Sequence, residues 1–519
     1  MNKVYKNSIL VIFLIVVGKA LSLLRDIVIS YAYGANDATD AYFAANMIPT
    51  ILYTAFITSL LMFFIPLYVE KLKTGGKAMA DAFVSNIYNI LFVVVTGLSA
   101  FGILFAPVLA KIAAPGFSGQ KLELTISLSR YMVLSFPCTL SILLYSYLQN
   151  ANNRFFISQT PAIFSALFVI LGVVFFAGSC GIYAVVLSLL AASLFSAVLQ
   201  RTACRKLYHH SWLFDLKSPD VSKMVCLAFP VFCGFAADEI NIFVNSMICT
   251  ELSKGSVSHL NYAQRIIQTF NGTCMTGILT VLYPLLATIA VDSDVKALEK
   301  VMKKCVRSAV MILLPAIVII ACYGGDIVRL IFGRGNFTAQ AAAETGKILV
   351  CYSFALVFLA CRELFNRVFF AMKEAKTPAV IGAISAGCNI IFSLILVRFF
   401  GACGLAAASV IAACFTVFLQ YTYISRKIIK AQHASLFYGK YCCAIAIGVV
   451  LMLGLKLWFA HLDFTLGGCF SFLVPATVSL MIYFAVLFCF NLDELEFIKR
   501  YYTVTSGKLR TFWEKSLEK

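Results

Sequence analysis

Hydrophobic runs too long for a water-soluble core divide this sequence into about fourteen segments, most near or above the roughly 20 residues a bilayer crossing needs. They fall near 8–33, 40–69, 79–110, 122–150, 157–177, 180–203, 220–250, 256–290, 301–323, 338–370, 377–399, 402–425, 437–461 and 468–491. The chain is 61% hydrophobic and only 13% charged. A soluble domain carries about 25% charged residues, so lipid must be the solvent for most of this surface. The expectation is an all-α polytopic membrane protein. No small-residue cleavage site follows the first run, which reads as a retained helix rather than a signal peptide.

A net charge of +18 would point to nucleic acid in a soluble protein. Here the basic residues crowd into short connections, which makes a nucleic-acid partner the weaker reading and membrane lipid the stronger one. Lys71, Lys73, Lys77, Arg201, Arg205, Lys206, Lys296, Lys300, Lys303, Lys304, Arg426 and Lys427 occupy one set of alternate connections. The opposite set holds few cations. The positive-inside rule then puts both termini in the cytoplasm. The 18 cysteines are scattered through apolar runs without metal-ligand spacing and read as small packing residues.

The chain repeats itself. Thr160-Pro161-Ala162 and Thr377-Pro378-Ala379 open two apolar runs 217 residues apart, and Gly116 and Gly333 share that offset. GSCG at 178–181 and GACG at 401–404 mark a third correspondence. Duplicated six-helix halves of parallel orientation follow, a plan common among transporters. The expected division is an N-lobe at 1–206, a C-lobe at 207–430, two further helices at 431–492 and a cytoplasmic tail at 493–519.

An ionisable side chain in a spanning helix costs at least about 2.5–3.5 kcal/mol and usually faces a cavity or a partner. Lys19, Arg25 and Asp26 sit in the first run, with Arg25 and Asp26 expected to point to different sides of the helix. Arg265 stands in the eighth with glutamines at 264 and 268 and no acid nearby. Arginine without a local carboxylate suits phosphate or carboxylate binding. The competing reading has Lys19 snorkelling, Arg25 paired with a distant acid and Arg265 bonded to backbone. Asp238 and Glu239 in the seventh run are candidates for Na⁺ or H⁺ binding, or for pairing with those arginines. Arg362, Glu363 and Arg367 read as a largely self-neutralising set. If the first and eighth helices face one cavity, a cation from each half would clamp a diphosphate.

No P-loop and no HExxH motif occurs, so neither an internal ATPase nor that zinc chemistry is expected. No cofactor and no metal is expected; Na⁺, H⁺ or the membrane potential would supply the energy. A glycosyltransferase needs catalytic carboxylates on an external loop, where little beyond Asp37 and Asp326 is found.

These segments resemble the MviN/MurJ family of lipid II flippases in bacterial cytoplasmic membranes. The resemblance rests on LSLLRDIVISYAYGANDATDAYFAA (21–45), APGF (114–117), GSVSHLNYAQRI (255–266), LTVLYPLLA (279–287), FGRGNFTAQ (332–340) and FFAMKEAKTPA (369–379). It implies the multidrug/oligosaccharidyl-lipid/polysaccharide exporter fold, with two six-helix lobes around a cationic cavity and two last helices shaping a groove for a lipid tail. The implied substrate is undecaprenyl-diphosphate-linked peptidoglycan precursor, moved from inner to outer leaflet, with cell-wall synthesis proteins as partners. Arg25 matches the family's essential arginine, Lys19 stands where another arginine is usual, Asp40 matches the acid of DA[FY] and Arg265 matches YA-x-R. All four are expected at the substrate. The second helix departs from the family pattern: Pro49-Thr50-Ile51-Leu52-Tyr53 and Ile57-Thr58-Ser59-Leu60 lack its arginine and acid. A flippase for another polyprenyl-diphosphate-linked glycan is the alternative. A cation-coupled drug exporter is disfavoured because basic residues outnumber acids in the expected cavity.

Overall fold

The computed structural model describes residues 2–291, 295–372, 374, 376–429, 438–461, 470–490 and 492. The expected tail at 493–519 lies outside them. Every regular element among the described residues is helical. That follows from the sequence, because backbone in hydrocarbon must satisfy its own hydrogen bonds.

Helix α1 (Asn2–Tyr33) is followed by α2 (Asp37–Pro49), which passes through a π-helical turn at Thr50–Thr54 into α3 (Ala55–Met62). Asn36 caps α2, its Oδ1 accepting from Ala38 N and Thr39 N while Thr39 Oγ1 accepts from Asn36 N. Helix α4 (Phe64–Leu104) breaks at Gly76, whose φ of 68° only glycine adopts readily. The stretch Ala55–Leu104 has 50 residues, about 75 Å of helix, so it holds two crossings folded at that glycine. Next come α5 (Ala106–Ala113), α6 (Gly119–Val133), α7 (Phe136–Ala151), the short α8 (Phe155–Ser158), α9 (Thr160–Cys180) and α10 (Tyr183–Cys204). Then come α11 (Pro219–Cys249), α12 (Ser256–Val291), α13 (Val295–Phe332), α14 (Ala339–Ser353), α15 (Ala355–Ala371), α16 (Lys376–Phe400) and α17 (Ala402–Tyr423), with α18 (Gly439–His461) and α19 (Phe470–Cys489) last. The two Thr-Pro-Ala motifs begin α9 and α16, where a proline in the first turn forfeits no hydrogen bond.

Among the described residues, nine helices are long and apolar enough to cross a membrane, or up to eleven if each bent pair is one span. This count is taken over the described residues and does not confirm the expected fourteen.

Contacts divide the chain into two compact units. The first comprises residues 1–273, 328–352 and 374–416. Its largest apolar cluster joins Tyr53, Phe64, Tyr68, Phe136, Leu140 and Tyr145, with Tyr53 stacked on Phe136 at 4.8 Å. Buried amides and hydroxyls tie its helices together. Ser393 Oγ donates to Asn245 Oδ1 at 2.7 Å, and the Asn389 amide donates to Ser409 Oγ at 3.3 Å, joining α11, α16 and α17. Such bonds contribute about 0.6 kcal/mol each in lipid, and they fix register. The second unit holds residues 274–327, 353–373 and 417–519. There the buried Tyr441 and Tyr483 hydroxyls donate to the carbonyls of Arg307 (2.6 Å) and Met311 (3.1 Å), pinning α18 and α19 to α13.

Candidate functional site

The first unit contains two polar centres, one sealed and one open. The sealed centre is built on Asp40, in the first turn of α2 and 1% exposed. Its Oδ2 accepts from Gly255 N and from Lys121 Nζ, both at 2.8 Å. Its Oδ1 accepts from Ser258 N at 2.8 Å and Ser258 Oγ at 2.6 Å. Two of those donors are backbone N–H groups at the start of α12, which lack intrahelical partners and carry the positive end of the helix dipole. Asp40 thus caps a helix more than 200 residues further along the chain.

Around it, Lys121 also pairs with Asp37 at 3.1 Å, and Lys254 pairs with Asp37 at 2.6 Å. Burial alone would raise the Asp37 carboxyl, but hydrogen bonds and charge from Lys254 and Lys121 outweigh it and hold it below the ordinary carboxylate range. Beside this cluster the end of α1 interlocks with the 333–338 loop. Asn336 N donates to Tyr31 O at 2.9 Å, and its amide donates to Ala32 O at 2.6 Å. Gly34 and Gly335 have φ of +70° and +60°, and a Cβ on either would meet the opposing backbone within 2.4 Å. The glycines of the YGAND and FGRGN segments are therefore demanded by one shared contact. Tyr262, fully buried, completes the seal with its ring against Phe332, Phe337 and Phe43. A cavity of about 660 Å³ adjoins this end, lined in part by Lys254, His259 and Glu344.

The open centre lies between α1 and α12. A cavity of about 330 Å³ is lined by Lys19, Ser22, Gln159, Arg265, Gln268 and Thr269, with Leu14, Ile15, Gly18, Leu23 and Ala162 as its apolar wall. Gly272 makes room for the lysine, since a Cβ there would stand 3.0 Å from Lys19 Nζ. Among the described residues no carboxylate pairs with Lys19. Arg265 is 45% exposed, and its Nε stands 2.9 Å from Asp26 Oδ2. Its N–H points off line, so the contact is an ion pair rather than an aligned hydrogen bond. Arg25 donates from Nε (3.0 Å) and Nη2 (2.8 Å) to Asp26 Oδ1.

Three expectations are corrected by this geometry. Arg25 and Asp26 do not point apart: the long arginine side chain curls sideways to its neighbour. Arg265 is not without an acid, because Asp26 bridges both guanidiniums. Asp40 does not join the cations but is consumed by the sealed centre. What the structure does bring together is Lys19 and Arg265 on one cavity, with Arg25 behind them on the shared carboxylate. Two guanidiniums and one ammonium against one carboxylate leave the site cationic. Glu239 lines a separate cavity of about 80 Å³ with Asn46, Thr50, Ser246 and Asn261. The side chain of Asp238 lies outside the described residues. Arg362, Glu363 and Arg367 fall in the second unit.

A family model described as "Lipid II flippase MurJ" matches residues 29–486. The "Probable lipid II flippase MurJ" of Buchnera aphidicola subsp. Baizongia pistaciae is 25% identical over 444 residues, covering 83% of this chain and 84% of that protein. The protein of the same name from Rickettsia prowazekii is 25% identical over 454 residues, covering 86% and 89%. Among solved structures, "Lipid II flippase MurJ, inward closed conformation" superposes with a TM-score of 0.80 at 25% identity, covering 94% of this chain and 98% of that one. An inward-facing MATE-family multidrug transporter of the MOP superfamily shares the fold, with a TM-score of 0.68 at 13% identity over 80% and 96% of the two chains.

Proposed function

The chain belongs to the MurJ family of lipid II flippases, and from that premise we propose that its cationic cavity receives the diphosphate of lipid II and carries the headgroup across the bacterial inner membrane. It is a multi-pass membrane transporter, and its substrate is a lipid-linked peptidoglycan precursor.

One observation carries the reading of the site: Lys19, half-buried in α1 and with no carboxylate partner among the described residues, shares a cavity with the half-exposed Arg265. An ammonium left without a counter-ion in that setting is costly, and an anionic ligand removes the cost. Charge-assisted hydrogen bonds from ammonium and guanidinium suit phosphate oxygens. Asp26 has a positioning role, holding both guanidiniums extended while the site is empty. It also tempers the field, so that the diphosphate can leave after transfer.

With both termini cytoplasmic, the Asp40 centre lies at the outer face and closes it while the cavity loads from inside. Translocation is then a swap: the Asp40 contacts to α12 break and the headgroup leaves outward. Glu239, with the oxygen-bearing side chains around its small cavity, is the proposed Na⁺ or H⁺ site, the membrane potential adding about 2.3 kcal/mol per charge per 100 mV. Cell-wall synthesis proteins are the proposed consumers of the product.

The test is depletion in the native host with complementation. Loss of the chain should accumulate lipid II on the cytoplasmic side, and neither Arg25→Ala nor Arg265→Ala should rescue it while both still insert. Full rescue by both variants, or accumulation of a different lipid-linked glycan, contradicts the proposal.

A further inference from the structure

Residues 208–217, between α10 and α11, form no helix and show no helical periodicity, yet six hydrogen bonds fasten their backbone at four residues. His209 N donates to Asp81 Oδ2 at 3.3 Å, and Ser211 N donates to Ser85 Oγ at 3.1 Å. The Asn89 amide donates to the carbonyls of Ser211 (3.0 Å) and Leu213 (2.8 Å). Asn86 closes a reciprocal pair with Asp215, donating to its carbonyl at 2.9 Å and accepting from its N–H at 2.7 Å. Tyr208 anchors the start of the strap through Ser85 Oγ at 2.8 Å and His210 Nδ1 at 2.9 Å. A polar face of α4 thus takes the place of a partner strand.

The fastening alternates. The backbone of residues 209, 211, 213 and 215 is held to α4, while His210 turns in against Tyr208 and Tyr88 and the larger side chains beyond it are left exposed. Trp212 is 91% exposed, Leu216 60% and Phe214 53%. A loop whose backbone is this fully satisfied has no reason of stability to present a tryptophan to water. The level of the strap names its partner. Asp81, Ser85, Asn86 and Asn89 end where the uncharged run Ile90–Ala110 of α4–α5 begins, so the strap lies beside the headgroup layer. Arg201, Arg205, Lys206 and Lys217 are exposed on and beside it, and Asp215 is the acid within the strap itself. Aromatic and aliphatic side chains beside a basic cluster at that depth match the interface of an anionic leaflet.

We propose that residues 208–217 are an interfacial anchor. Trp212, Phe214 and Leu216 enter the lipid headgroup–acyl boundary, and Arg205, Lys206 and Lys217 engage anionic lipid phosphates. This holds α11 at a set depth where it leaves the membrane surface, and it stands independently of what the protein transports.

The test uses the full chain carrying Trp458→Phe and Trp513→Phe, which leaves Trp212 as the one fluorophore of its kind, reconstituted in phosphatidylglycerol-containing vesicles. Quenching of Trp212 by lipids labelled near the headgroup, with shielding from aqueous acrylamide, is the expected result. Free access to acrylamide with no lipid quenching overturns the anchor. Replacing Arg205, Lys206 and Lys217 by Gln should lower the lipid quenching at least ~two-fold in anionic vesicles, since basic side chains near such a surface are drawn to it. Unchanged quenching in that variant overturns the electrostatic half of the proposal.

Discussion

Asp40 and Asp26 are both buried carboxylates facing cations in the same unit, and they do opposite work. Asp40 accepts four hydrogen bonds within 2.8 Å, two of them from the backbone start of another helix. The Asp40 carboxylate is saturated by these donors. Asp26 is shared between two arginines, one of them off line and 45% exposed, and Lys19 nearby has no share in it. A saturated charge cluster stabilises one arrangement of helices. An unsaturated one waits for an anion. Which of the two a buried acid serves is decided by counting donors, not by residue type.

The comparison can be broken most sharply at Asp40. Asp40→Ala strands two N–H groups of α12 and leaves Lys121 with Asp37 alone, and losing one partner of a buried pair costs about 3–5 kcal/mol. A large fall in thermal stability of the purified protein is expected, together with loss of complementation. Lys19→Ala and Arg265→Ala should do the reverse. Each removes a charge-assisted bond to the ligand of about 1.5–3 kcal/mol, seen as a loss of lipid II affinity of roughly tenfold or more with the melting temperature unchanged or raised. Gly335→Ala forces a φ of +60° and a backbone clash with Tyr31. It should destabilise by about 1–3 kcal/mol, read in the same melting assay and without effect on anion affinity. Thr39→Ala removes the hydroxyl contact to Ser258 and the capping bond from Asn36 N and should cost about 1–2 kcal/mol. A Thr39→Ala loss as large as that of Asp40→Ala would mean that packing, rather than charge saturation, holds the seal.

Much of this was legible in the sequence because lipid is a strict solvent. It admits helices, so run length alone announced an all-α chain, and it penalises charge, so Lys19, Arg25 and Arg265 stood out at once. The sequence could not give what depends on long-range geometry. The role of Asp40 rests on Gly255 and Ser258, more than two hundred positions away. Neighbours one apart on a helix are expected to diverge, yet the reach of the Arg25 side chain defeats that rule. The count of spans was blurred where Ala55–Leu104 folds at Gly76. A signal for the strap was present and unread: Asp81, Ser85, Asn86 and Asn89 make a polar stripe at the start of an apolar run. Such a stripe calls for something outside the helix to bond with it.

The account turns on whether the cavity cations hold the lipid diphosphate. The direct measurement is binding of purified lipid II to the detergent-solubilised protein, comparing wild type with Lys19→Ala/Arg265→Ala. Wild type should bind, undecaprenyl diphosphate without its sugars should compete, and the double variant should lose at least about a hundredfold in affinity, near 2.7 kcal/mol, while melting as wild type does. Equal affinity in a normally folded double variant would contradict the claim.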